Sequence, residues 1–68
     1  MSDSFKIEVL QEIAEDAAKR KSASEAGRSL LMLTQLGAGC KAASNLLGVP
    51  SDAEGRPEMS TQWIELQL

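Results

Sequence analysis

A repeat of seven residues in the middle of the chain restricts the fold more than any other feature of the sequence. One position of the repeat is filled by Ala26, Leu33, Cys40 and Leu47, and the position three residues later by Ser29, Leu36 and Ala43. This spacing is typical of a helix that packs lengthwise against another helix. We therefore predict a helix over residues 22–48. Its predicted homodimer seam consists of Ala26, Leu33, Leu36, Cys40, Ala43 and Leu47.

Both ends of this predicted helix carry end signals. Residues 22–25 (SASE) match a capping box, in which the Ser22 hydroxyl accepts a hydrogen bond from the Glu25 backbone N–H and the Glu25 carboxylate reaches back. At the other end, Gly48 suits the position after a helix, and Pro50 cannot continue one.

Two glycines interrupt the interior of the predicted helix. Gly37 and Gly39 each cost on the order of 1 kcal/mol in a helix interior. Either the helix breaks at this point, or the small residues let a second backbone approach closely. We favour close approach across a dimer, with a break into two helices as the competing interpretation. Cys40 is interpreted as a small core residue and not as a reactive thiol.

An amphipathic helix is predicted over residues 4–20. Its broad apolar side carries Phe5, Ile7, Val9, Leu10, Ile13, Ala14 and Ala17. Of these, Ile7, Leu10, Ala14 and Ala17 form a seam that matches the seam of the second helix. Residues 5–9 also alternate with period two, which leaves a short N-terminal strand as an alternative.

The polar side of this helix is acidic. Glu15–Lys19 and Asp16–Arg20 are pairs four residues apart in the favourable orientation. The simplest interpretation of these acidic residues is that they form a solvent-exposed helix face with no binding role. The sharper one is that Glu8, Glu12, Glu15 and Asp16 form an acidic stripe for a basic partner, such as a DNA-binding surface that is blocked.

The two helices are joined by so short a connection that an antiparallel hairpin is the natural arrangement. The predicted fold is mainly α: a two-helix hairpin that forms a homodimeric helical bundle. A turn-rich connector over residues 49–58 leads to a tail over residues 59–68, which is extended or helical. Trp63 either anchors this tail over the core or, with Met59, binds a partner.

Composition restricts the class of function. A chain of 68 residues makes one small domain with a thin core, for which oligomerisation is the usual remedy when disulfides and metals are missing. The chain has one cysteine and no histidine, and no catalytic, metal or cofactor motif is found, so we expect a protein that is not an enzyme. We expect it in the cytoplasm, because it contains neither a signal-peptide pattern nor a membrane-spanning run. A net charge of −3 disfavours nucleic acid as a partner.

Two local patterns resemble DNA-binding families. Ser22, Ser24, Glu25 and Arg28 resemble the start of the second helix in ribbon-helix-helix repressors, and residues 5–9 would then be the ribbon. Residues 46–50 (LLGVP) are similar to the turn of helix-turn-helix domains, which implies a recognition helix directly afterwards. Both resemblances imply a DNA-binding transcriptional regulator as the alternative function.

The whole chain resembles, by profile alone, the small inhibitors that bacteriophages and other mobile elements encode against host proteins, including anti-activators and anti-repressors. What the resemblance implies is binding and inhibition of another protein, such as a host transcription factor. Our predicted partner-binding residues are Trp63, Met59, Glu8, Glu12, Glu15 and Asp16. A structural or assembly subunit is the third alternative.

Overall fold

A computed structural model of the chain describes residues 3–56, and these residues are mainly helical. The helices are α1 (Asp3–Lys19), α2 (Ala23–Gln35) and α3 (Lys41–Leu47), and this part of the chain contains no β-strand. The alternative of a strand at residues 5–9 is therefore wrong, because these residues belong to the first two turns of α1. None of the helices in the described span is long and apolar enough to cross a bilayer.

The predicted helix over residues 22–48 is two helices. α2 ends at Gln35, and Gly37 adopts a left-handed conformation with φ of +74°. The Ala38 N–H donates to the Leu33 carbonyl at 2.9 Å and the Gly37 N–H to the Thr34 carbonyl at 3.0 Å, which is the Schellman arrangement. The prediction of a continuous helix is wrong, because this arrangement satisfies the last carbonyls of α2 and turns the chain out of the helix.

All three helices end in this same way. In α3 the predicted end is confirmed: Gly48 has φ of +72°, and the Val49 N–H donates to Ser44 at 2.8 Å. In α1 the left-handed position is taken by Lys21, with φ of +61°, and the Ser22 N–H donates to Ala17 at 2.9 Å. Since a residue with a Cβ is strained in this conformation, Lys21 is the costliest of the three helix ends.

Ser22 is the N-cap of α2, as predicted, but the capping-box hydrogen bonds do not form. The Ser22 side chain makes no cap hydrogen bond. The Glu25 carboxylate instead accepts from Arg20 Nη2 at 2.7 Å, on the other side of the turn. The Glu25 carboxylate thus binds the Arg20 guanidinium instead of the Ser22 backbone N–H that the capping-box pattern predicts.

The core is small and built largely from alanine. α1 packs against both α2 and α3, and Leu30 and Leu33 are the largest apolar side chains that are fully buried. The other apolar core residues are Ala14, Ala17, Ala18, Ala26, Cys40, Ala43 and Val49. Ile7, Leu10 and Leu47 are partly buried against this cluster. Alanines on α1 let the neighbouring helices approach closely, which compensates for their small apolar area.

The segment between α2 and α3 is held by a close backbone contact. A Cβ on Gly39 would overlap the carbonyl group of Gly55 and lie 2.5 Å from the Arg56 nitrogen. A Cβ on Gly55 would in turn lie 2.7 Å from the Lys41 nitrogen. The predicted close approach of a second backbone therefore occurs at Gly39, but the second backbone belongs to the same chain.

Candidate functional site

The outer face of α1 carries a row of large apolar side chains. Phe5, Val9 and Ile13 are 53%, 37% and 46% exposed. Their spacing of four residues places them in one line along the helix, roughly 12 Å long at 1.5 Å per residue. We call these three residues the apolar row. The row lies on the side of α1 opposite to Ala14 and Ala18, which face the core.

An acidic row runs beside the apolar row. Glu8, Glu12 and Asp16 each follow a member of the apolar row by three positions, which makes the two rows neighbours on the helix surface. All three residues are exposed, and Glu15 is half-exposed at the edge of the acidic row. The outer face of α1 therefore combines apolar area with negative charge.

Only part of this negative charge is compensated. The predicted pairs are present: Glu15 lies 3.3 Å from Lys19 Nζ, and Asp16 lies 3.0 Å from Arg20 Nε. Hydrogen bonds from Arg20 to Glu25 and to Asp16 raise the pKa of Arg20 above its ordinary value. Within residues 3–56, Glu8 and Glu12 have no ion-pair partner. The uncompensated charge thus lies beside Phe5 and Val9.

A groove opens on the other side of the apolar row, between α1 and α2. It has a cavity volume of about 340 Å³ and is lined by Lys6, Leu10, Met32, Gln35 and Leu36. We call this cavity the α1–α2 groove. Met32 is 51% exposed at its edge, and Lys6 is the one basic residue among the described residues that line it.

The predicted dimer seam is largely inside this chain. Ala26, Leu33 and Ala43 are fully buried, and Cys40 is 6% exposed, with its Sγ donating to the Gln11 carbonyl at 3.6 Å. Leu47 is partly buried against the same core, and Leu36 lines the α1–α2 groove. Most of the sevenfold repeat therefore packs within its own chain, while Leu36 and Leu47 remain partly exposed.

Four of the other predicted site residues lie in the described part of the chain, and two lie outside it. Glu8, Glu12, Glu15 and Asp16 lie together on α1. Met59 and Trp63, with the predicted tail, lie outside the described residues. The sequence pattern places the three members of the apolar row on the broad apolar side of α1 and does not single them out as site residues. The available signal was that all three lie outside the Ile7, Leu10, Ala14 and Ala17 seam.

The connector that follows α3, residues 48–56, forms a hydrogen-bonded loop around one carboxylate, which we call the Asp52 loop. Asp52 Oδ1 accepts from the backbone N–H groups of Arg56 at 2.9 Å and Glu54 at 3.0 Å, and Arg56 Nε donates to Oδ2 at 2.8 Å. These bonds, led by the one from the Arg56 backbone, lower the pKa of Asp52 below its ordinary value. Ser44 Oγ also donates to the Gly55 carbonyl at 3.4 Å, which ties the loop to α3.

The elements that the DNA-binding resemblances imply are not found in residues 3–56. The residues of the expected ribbon are helical. The residues from Gly48 to Arg56, where a recognition helix should begin, form the Asp52 loop instead. Three of the seven basic residues, Lys19, Arg20 and Arg56, are paired with carboxylates.

The arrangement is suited to contact with another macromolecule through shape and charge. Residues 3–56 contain no cluster of three or more side chains that could hold a metal ion. The outer face of α1 and the α1–α2 groove both present apolar area to solvent in this region. No protein-family model matches the sequence, and comparison with curated proteins and with solved structures finds no significant match.

Proposed function

We propose that this protein is a non-enzymatic regulator that binds another protein through the outer face of α1 and inhibits it. The observation that carries the proposal is the apolar row, Phe5, Val9 and Ile13, exposed beside the acidic row. Apolar side chains that recur every three or four residues on one face are the contacts that an amphipathic helix makes when it lies in a groove of its partner.

The apolar row supplies a useful but limited part of the binding energy. Full burial of a large apolar side chain contributes about 1.5–3 kcal/mol. Since the three side chains are each about half exposed, covering them contributes about 2–4 kcal/mol in total. Micromolar affinity requires about 8 kcal/mol. Charge pairs and contacts around the row must supply the remainder.

The acidic row defines the chemistry of the partner. Glu8 and Glu12 lack ion-pair partners among residues 3–56, and a basic rim on the partner would pair with them. Complementary charge accelerates association and discriminates between partners. The occupant we propose is an apolar groove with a basic rim, such as the DNA-binding surface of a host transcription factor. Inhibition then follows from covering the surface that contacts the phosphates.

The proposal includes an antiparallel hairpin of α1 and α2 in a cytoplasmic protein. Lys6 and Leu10, early in α1, share a cavity with Gln35 and Leu36 at the end of α2, which supports the hairpin. A reducing compartment is consistent with Cys40, a single buried thiol. The homodimer is retained as the competing occupant: a second copy would cover the apolar row instead of the seam.

The test is a comparison of three forms of the protein as bait. The wild type, Val9→Asp and Leu46→Asp are used to capture proteins from nuclease-treated lysate of the native or host cell, and each captured protein is then purified and its affinity measured. Leu46 is the matched control, because it is a 45% exposed apolar residue on α3. We expect one protein to bind the wild type and Leu46→Asp, to lose at least tenfold in affinity for Val9→Asp, and to bind more weakly as salt is raised.

Three results would contradict the proposal. A partner that binds Val9→Asp as tightly as the wild type does not use the apolar row. Sedimentation equilibrium in which the wild type dimerises and Val9→Asp does not would assign this face to a second copy. Salt-dependent binding of duplex DNA by the purified protein would favour the DNA-binding alternative.

A further inference from the structure

We propose that the α1–α2 groove is a binding site for a small amphipathic carboxylate, a molecule with a short aliphatic chain that ends in a carboxylate group. The proposal goes beyond the partner-binding function, because it concerns a different surface and a different class of ligand. The size, the lining and the charge of the groove support it.

The size of the groove matches a small molecule better than a segment of polypeptide. Its volume of about 340 Å³ lies near the lower end of the range of roughly 300–1,000 Å³ that is typical of ligand pockets. Its walls are one helical turn long, because Lys6 and Leu10 on α1, like Met32 and Leu36 on α2, lie roughly 6 Å apart along the helix axis. A bound helix uses anchors over seven residues, or roughly 10 Å, so the groove is too short for one.

The lining of the groove combines an apolar wall with two polar groups. Leu10, Met32 and Leu36 form the wall, and the flexible thioether of Met32 can adapt to the shape of a ligand. Lys6 and Gln35 contribute an ammonium group and a carboxamide. An apolar wall with a few polar groups that fix the orientation of the ligand is the usual composition of a small-molecule site. The aliphatic chain therefore contacts the wall, and the carboxylate binds Lys6.

The charge of the lining favours an anion. Lys6 is the one basic residue among the described lining residues, and none of these residues is acidic. Within residues 3–56, Lys19, Arg20 and Arg56 each bind a carboxylate, whereas Lys6 has no ion-pair partner. A cleft with walls of low dielectric constant focuses the field of the charge that lines it. A ligand carboxylate would pair with Lys6, and a cationic ligand would be repelled.

The experiment is a titration of the purified, ¹⁵N-labelled full-length protein with sodium octanoate, at concentrations where octanoate remains monomeric. The backbone amide resonances report where it binds. We expect saturable shifts that are largest for residues 6–10 and 32–36, which contain the groove lining. Octanol has the same chain without the charge and should bind several-fold more weakly. Octyltrimethylammonium, which carries the opposite charge, should give no saturable shifts at these residues.

Two matched variants test the role of Lys6. Lys6→Gln removes the ammonium group at an exposed position, and Lys41→Gln makes the same change in net charge at an exposed position of α3. We expect the affinity for octanoate to fall by roughly threefold in Lys6→Gln, which is the effect of an exposed ion pair, and to be unchanged in Lys41→Gln. The affinity for octanol should be the same in all three proteins, and their amide spectra verify that each is folded.

Several results would overturn the proposal. Shifts that do not saturate, or that are equally large at Phe5, Val9 and Leu46, indicate adsorption to any exposed apolar side chain. Equal binding of octanoate and octyltrimethylammonium by the wild type excludes selection of an anion. Equal octanoate affinity of Lys6→Gln and the wild type excludes Lys6 as the partner of the carboxylate. Since the titration uses the purified protein alone, its outcome does not depend on the proposed inhibition of another protein.

Discussion

Replacement of Gly39 by alanine should destabilise the fold more than the same replacement at Gly37. The two glycines lie two residues apart in the same interhelical segment, but the structure requires them for different reasons. Gly37 has φ of +74°, and a Cβ there would meet no heavy atom of the described chain within 4 Å. At Gly39 the backbone of Gly55 and Arg56 occupies the space that a Cβ needs.

The two costs follow from these two causes. At Gly37, a left-handed alanine costs about 1–2 kcal/mol. At Gly39, overpacking costs about 1–3 kcal/mol, and the upper end applies because the obstacle is backbone, which cannot rotate away. Both variants gain about 0.4–1 kcal/mol from reduced freedom of the unfolded chain, so this term cancels in the comparison. We expect net losses of about 2–2.6 kcal/mol for Gly39→Ala and about 1 kcal/mol for Gly37→Ala.

The assay is urea unfolding followed by helical circular dichroism. At about 0.05–0.15 kcal/mol per residue, a chain of 68 residues has a free energy of unfolding of about 3–10 kcal/mol, so the loss at Gly39 is large enough to measure. The denaturant dependence should be the same in all three proteins, because the buried area is the same. Equal losses for the two variants, or a larger loss at Gly37, would refute the close approach of Gly39 to the Asp52 loop.

Three further substitutions test other parts of the fold. Leu33→Asp should abolish the helical circular dichroism signal, because an unpaired charge would be placed at a fully buried position; retained helicity would contradict the packing of α2. Lys21→Gly should raise the free energy of unfolding by about 0.5–1 kcal/mol in urea titrations, because it removes a left-handed residue that has a Cβ; no gain would contradict the φ of +61°. Asp52→Asn should remove the contribution of Asp52 to the pH dependence of the free energy of unfolding. The pKa of Asp52 is lowered in the folded chain, so its stabilising effect is present above the ordinary value of 3.8 and is lost as pH falls through the lowered value. Acid titration of the Arg56 amide resonance should show this transition in the wild type and in Glu54→Gln but not in Asp52→Asn.

Local signals in the sequence predicted α1 and several of the helix ends, but not the break between α2 and α3. The helix over residues 4–20 corresponds to α1, the N-cap at Ser22 to the start of α2, and Gly48 to the end of α3. The pairs Glu15–Lys19 and Asp16–Arg20 are present as predicted. These features depend on contacts within four or five residues, which the sequence specifies directly.

The tertiary structure shows what covers most of the sevenfold repeat within the described chain. The sevenfold repeat specifies that a second helix covers the seam, and it is satisfied equally by a second chain or by α1 of the same chain. In the described chain the break at Gly37 turns α3 back, so that Cys40 and Ala43 join the core made by α1 and α2. Gly39 in the sequence likewise predicted a close backbone neighbour, and only the tertiary structure identifies this neighbour as Gly55.

The sequence by itself determined that the chain forms amphipathic helices, that one of them begins at the Ser22 N-cap and another ends at Gly48, and that an acidic row lies on α1. Only the tertiary structure decided that Phe5, Val9 and Ile13 stay exposed while Ala14, Ala17 and Ala18 are buried. The physical reason is that α1 has apolar residues around most of its circumference, and helix propensity does not choose among them. Close packing does, because the small alanine side chains let α2 and α3 approach and leave the larger residues outside.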